Sequence, residues 1–190
     1  MASEVSIANR ALQKLGANRI TSLTDSSTNA RAANACYEIL RDAELRRHTW
    51  NFAIKREALA ADGTAPSWGR TNAFELPADF LRLLPPYPED NFNNLDWQIE
   101  GRKIYTDDAA PLYVRYVAQV TDPNLMDALF RELLATRMAY EMCEELTQSN
   151  TKRDLLYRDI KDIVVEAKRT NAIENVSAET PTDTWITARL

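Results

Sequence analysis

The sequence predicts an α+β fold: an antiparallel bundle of four main helices, a β-rich insertion between helices 2 and 3, and an extended C-terminal arm. Three observations predict it. Apolar residues recur at helical spacing near both ends, over residues 3–15, 28–47, 123–147 and 150–171. Between them the pattern shifts to strand-like alternation broken by Pro66, Pro77, Pro85, Pro86 and Pro88. Beyond the last helix the chain turns polar and loses any helical stripe, yet it carries Trp185 and Ile186. The boundaries read as residues 1–49 and 121–174 for the bundle, 50–120 for the insertion and 175–190 for the arm.

Each element has its own signal. In helix 1, Ile7, Ala8, Ala11, Leu12 and Leu15 share a face, Ser3 can cap the start and Gly16 can supply a left-handed stop. Helix 2 starts near Ser27 or Thr28 and runs to about Arg47. Its stripe reads Asn29, Ala33, Cys36, Tyr37, Leu40 and Ala43, with Arg41 mostly outside it. Residues 51–59 read as a strand with Phe52, Ile54, Arg56 and Ala58 on one face. Short extended pieces follow at 72–76 and 80–84, then a hairpin over 97–106 with its turn at Glu100-Gly101. Residues 111–120 are the clearest strand, with Leu112, Val114, Tyr116 and Ala118 alternating against Tyr113, Arg115 and Val117. Asp122-Pro123 reads as the start of helix 3, whose broad apolar surface suits the centre of a bundle. Helix 4 buries a narrow stripe of Leu156, Ile160, Ile163, Val164 and Ala167.

Composition narrows the function classes. A net charge of −5 and a pI near 5.0 argue against tight nucleic-acid binding, which depends on a basic surface neutralising phosphates. No apolar run approaches the roughly 20 residues that span a bilayer, and the N-terminus has no signal-peptide pattern. Cys36 and Cys143 read as free thiols of a protein made in a reducing cytoplasm, since two cysteines and one histidine do not complete a zinc site. No catalytic, cofactor-binding or metal-binding residue is predicted. The paired carboxylates Glu144-Glu145, Asp107-Asp108 and Glu89-Asp90 read as solvated, and the cations Arg46-Arg47 and Lys55-Arg56 as ion-pair partners of flanking Glu44 and Glu57.

The only histidine raises the sharpest question, because His48 stands beside Trp50 where the helical spacing ends. No nucleophile elbow, zinc-protease helix or Cys-x-x-Cys pair accompanies it. A histidine at a helix C-terminus, facing exposed carbonyls, is the simpler reading. His48, Trp50 and Phe52 are therefore expected to form the structural joint between bundle and insertion.

Several blocks in order resemble one known family. They are Ala11-Leu12 with Leu15-Gly16, Arg41-Asp42, and His48-Thr49-Trp50-Asn51-Phe52-Ala53 with Arg56 and Leu59-Ala60. They continue through Leu76-Pro77-Ala78-Asp79 with Leu81-Arg82, Ile99-Glu100-Gly101-Arg102, Val114-Arg115-Tyr116 and Val120-Thr121-Asp122-Pro123. Together they resemble the tail tubular protein A family, the head-to-tail adaptors of short-tailed bacteriophages. The resemblance implies a structural virion protein, not an enzyme. It implies a homo-oligomeric ring, usually of twelve subunits, that joins the portal protein to the tail nozzle protein and lines the channel for double-stranded DNA. It also implies that the C-terminal arm grips the portal, with Trp185, Ile186 and Arg189 as partner-binding residues; the nozzle, a neighbouring subunit or the chain's own domain are the other destinations. A tail-associated hydrolase of cell wall or capsule is the alternative function, and a binding module unrelated to phage is a third.

Overall fold

A computed structural model describes residues 1–64, 66–85 and 96–174. Four helices enclose a strand-rich region in sequence: α1 Glu4–Leu15, α2 Thr28–Arg47, α3 Ala128–Thr147 and α4 Asn150–Ile173. Between α2 and α3 lie a 3-10 turn, Asn51–Ala53, and six strands: β1 Ile54–Leu59, β2 Asn72–Glu75, β3 Phe80–Leu84, β4 Trp97–Glu100, β5 Lys103–Thr106 and β6 Leu112–Ala118. The fold is mixed α+β.

The helix ends follow from local chemistry. Ser3 and Ser6 form a reciprocal capping box, and Gly16 closes α1 at φ 73°, where a side chain would be strained. Ser27 and Ser149 cap α2 and α4. Helix α3 begins later than the sequence predicts. Asp122 accepts from the Asn124 amide and side chain and closes a turn before the helix. Asp127 is the true cap, accepting from the Leu129 and Phe130 amides. Two Asp residues of similar capping ability sit five apart, so the apolar pair Leu125-Met126 made the earlier one look helical.

Helix α3 is the central helix and packs against α1, α2 and α4. Phe130, Leu133, Leu134, Met138, Ala139 and Met142 of α3 are buried, which explains its broad apolar surface. The main core joins these residues to Leu12 and Leu15 of α1, Tyr37 and Leu45 of α2, and Leu156 and Ile160 of α4. The α2 stripe departs from expectation. Ala43 is exposed, whereas Arg41 and Glu44 are buried, because each has an ionic partner that offsets the loss of solvent.

The strands form two antiparallel three-stranded sheets, ordered β1-β6-β3 and β2-β5-β4. A second core, Leu59, Phe74, Leu76, Ile104, Val114, Tyr116 and Ala118, lies between them. Strand β6 explains how the two cores meet. Val114, Tyr116 and Ala118 enter the sheet core, while Val117, on the opposite face, enters the helical core. Strand β1 starts only at Ile54, since Phe52 belongs to the 3-10 turn, and Arg56 and Ala58 are exposed. The hairpin turn is Gly101-Arg102, one residue later than expected. Glu100 pairs with Lys103 across the strands, and Gly101 takes φ 60°, as the first position of a tight hairpin turn demands.

Candidate functional site

The residues around His48 bring four elements to one point. His48 is the C-cap of α2 in extended conformation, and this sharp exit redirects the chain into the 3-10 turn. Trp50 then drops into the bundle with 1% of its surface exposed. Its ring meets Phe130 of α3 edge-on at 5.2 Å and stacks on Phe52 at 6.2 Å, and Phe52 meets Phe130 at 5.1 Å. The indole Nε1–H donates to the Glu44 carbonyl at 2.9 Å, which satisfies one of the orphan acceptors of the α2 C-terminus. Trp50 and Phe52 thus belong to the helical core, with His48 edge-on against Trp50 at 5.6 Å.

Polar side chains tie this joint on three sides, and two of them, Asn171 and Gln119, the sequence did not single out. From α4, the Asn171 Oδ1 accepts from the Asn51 amide at 2.8 Å, and its Nδ2 donates to the Thr49 carbonyl at 2.9 Å. From β3, Arg82 donates to Thr49 Oγ1 at 2.9 Å, and Arg46 reaches back to the Leu81 carbonyl. From the end of β6, Gln119 donates to Asp42 at 2.6 Å, while Asp42 also holds buried Arg41 at 2.8 Å. A dipeptide such as Arg41-Asp42 shows ionic character in sequence. The partner Gln119, 77 residues away, does not.

The joint is rich in cations. Glu44, 1% exposed, accepts from Arg47 at 2.7 Å and stands 2.9 Å from Arg137 Nε of α3, an ion pair not aligned for a hydrogen bond. Burial holds the His48 imidazole neutral, and Lys168, Arg47, Arg82 and Arg137 add to the effect, so its pKa falls to about 4. Its Nε2 is shielded and has no partner among the described residues. In the unfolded chain a histidine titrates near 6.5. Between these values the unfolded chain binds the extra proton, so His48 contributes stability above pH 6.5 that is lost as the pH falls toward 4. His48→Gln is expected to remove ~1–2 kcal/mol of that pH-dependent stability, a figure discounted for solvent screening around a group that is not fully buried. Urea unfolding at pH 7.5 and 4.5 checks it: parallel losses in wild type and variant would contradict the assignment.

Most of the remaining candidates among the described residues have structural partners. Lys55 pairs with Asp79 at 2.5 Å, and Tyr116 donates to Asp79 at 3.0 Å and to Glu57 at 3.2 Å. Asp107 accepts from Thr71 and Arg70, Asp108 from Thr106, and Glu144 from Arg153. Cys143 is buried, and burial raises the Cys36 thiol to about 11, far from a reactive thiolate. No group of His, Cys, Asp or Glu able to hold a metal occurs among the described residues, and no helix there is long and apolar enough to cross a membrane. Glu89-Asp90 and the arm residues Trp185, Ile186 and Arg189 lie outside the described residues. No protein-family model matches the chain, and no curated protein matches it.

Proposed function

We propose that this protein is a structural head-to-tail adaptor of a short-tailed bacteriophage. It forms a ring between portal and tail nozzle and surrounds the path of the exiting DNA. The observation that carries the reading is the ordered series of sequence blocks from Ala11 to Pro123, which resembles the tail tubular protein A family along most of the chain. Several of those blocks serve the architecture directly. His48 to Ala53 makes the joint, Asp79 takes Lys55 and Tyr116, Arg82 braces the end of α2, and Arg102 donates to the Pro77 carbonyl at 2.6 Å. Such a set suits a protein whose task is to hold two bodies in fixed relation.

Assembly also gives a use to apolar side chains left in water. Ile39 on α2 and Val165 and Ile173 on α4 are largely exposed on the outside of the bundle. A closed ring buries a different face of each subunit against each neighbour. The net charge of −5 per chain fits a channel that repels phosphate and lets the duplex slide. Trp185, Ile186 and Arg189 are assigned to the arm that grips the portal, where a Trp anchor suits a pocket.

Co-sedimentation with purified portal rings tests the reading, using the full chain and a chain ending at Glu174. The full chain is expected to bind and the shortened chain to be released. Binding by both keeps the adaptor and moves the arm to the nozzle or a neighbouring subunit. Binding by neither overturns the assignment.

A further inference from the structure

The outer face of the β2-β5-β4 sheet carries a feature that assembly around the joint does not use. Trp68 is 87% exposed, beside a cleft of about 430 Å³ that it lines together with Arg70, Gln98, Glu100 and Tyr105. That volume falls in the range of small-molecule sites. Gln98 and Tyr105 face each other across β4 and β5, and Glu100 follows Gln98 by two residues on the same face of the strand. The three polar groups therefore stand on one regular surface with Trp68 at its margin.

The Trp68 loop is held in place by the residues that follow it. Gly69 takes φ 87°, a conformation that side chains resist, and so turns the chain directly after the indole. Arg70 then forks onto Asp96 and Asp107, and the same Asp107 accepts from the Thr71 amide at 2.8 Å and the Thr71 hydroxyl at 2.8 Å. These bonds anchor the loop, while the ring beside them is given to solvent.

We propose that this cleft binds a saccharide, with Trp68 as the platform for the apolar C–H face of a sugar ring and Gln98, Glu100 and Tyr105 as partners of its hydroxyls. The donor and acceptor inventory fits. An amide offers both functions on one plane, a carboxylate accepts two hydroxyls, and a phenol does either. An apolar peptide side chain fits poorly, because it would strand these polar groups without partners. A nucleotide could stack on the indole, but Glu100 has no ion pair among the described residues, and the cations beside it are already engaged, Arg70 by Asp96 and Asp107 and the cross-strand Lys103 by Asp62, so a phosphate meets a surplus of carboxylates. A neutral polyol avoids both penalties. The inference stands apart from the adaptor reading and does not depend on it.

Saturation-transfer NMR and tryptophan fluorescence on the full chain test it, with glucose, galactose, N-acetylglucosamine, maltose and cellobiose as probes. At least one probe is expected to bind saturably at millimolar strength. Trp68→Ala and Gln98→Ala should each weaken that binding at least tenfold, while Tyr113→Ala, exposed on a different strand, should leave it unchanged. Trp68 supports no core, so its loss should not unfold the chain, and an unchanged melting profile checks this. The absence of saturable binding by every probe, or binding that persists in Trp68→Ala, overturns the proposal. Loss of portal binding in Trp68→Ala with no saccharide bound also overturns it and makes the indole a protein contact.

Discussion

Replacing Trp50 with alanine is expected to cost ~3–5 kcal/mol of folding stability, the range for deleting a fully buried large aromatic side chain. The substitution empties a space walled by Phe52, Phe130 and His48 and removes the donor to the Glu44 carbonyl. These neighbours come from α2, the 3-10 turn and α3, so they cannot all collapse into the gap at once. Trp50→Phe keeps most of the ring and loses only the donor and some volume, and should cost ~1–2 kcal/mol. Urea denaturation of both variants measures the difference. Any loss of assembly in Trp50→Ala should follow the loss of stability. A Trp50→Ala protein with wild-type stability would mean that the joint does not depend on this ring.

The second large effect is expected at Glu44. Its carboxylate is the only negative group among the described residues that contacts both Arg47 and Arg137. Removing one partner of a buried ion pair leaves the other charge uncompensated, which costs more than the pair contributes net. Arg137 is 22% exposed by side chain and Arg47 47%, so water recovers part of the loss. Glu44→Ala should therefore destabilise by ~2–3 kcal/mol, below the figure for a wholly buried pair. Glu44→Leu combined with Arg137→Met should recover much of the loss, because two apolar side chains of similar bulk need no ionic partner. If the double variant is no better than Glu44→Ala, the cost lies in packing and the electrostatic account fails. Both experiments probe the same joint, so their effects should not add when combined with Trp50→Ala, whose donor ends on the Glu44 backbone.

The order and type of the main elements are local properties of the chain. Helical spacing with a serine before it and Gly16 after it specifies α1, because both the face and the caps are local properties. Alternation specifies β6 for the same reason, since period 2 sends Val114, Tyr116 and Ala118 to one face whatever lies opposite. The burial of Trp50 was legible from its place, a large aromatic where one periodicity stops and another begins.

Other features depend on contacts between elements far apart in the chain. Whether Asp122 or Asp127 caps α3 depends on where Met126 packs, and both satisfy the local rule. Arg41 and Glu44 look like solvent-facing charges in a helical pattern. The partner of Arg41 is the neighbouring Asp42 and is legible locally, but Glu44 also pairs with Arg137, which comes from a helix far along the chain. Asn171 and Gln119 are ordinary polar residues until folding brings them beside Asn51 and Asp42. Gln98 and Tyr105 become neighbours only through the β4-β5 register, and the cleft beside Trp68 exists only once that register is set. A periodic pattern reports which face of an element is buried. It carries no record of the partner across the interface, and in this protein the partner decides which charges are buried and where the site lies.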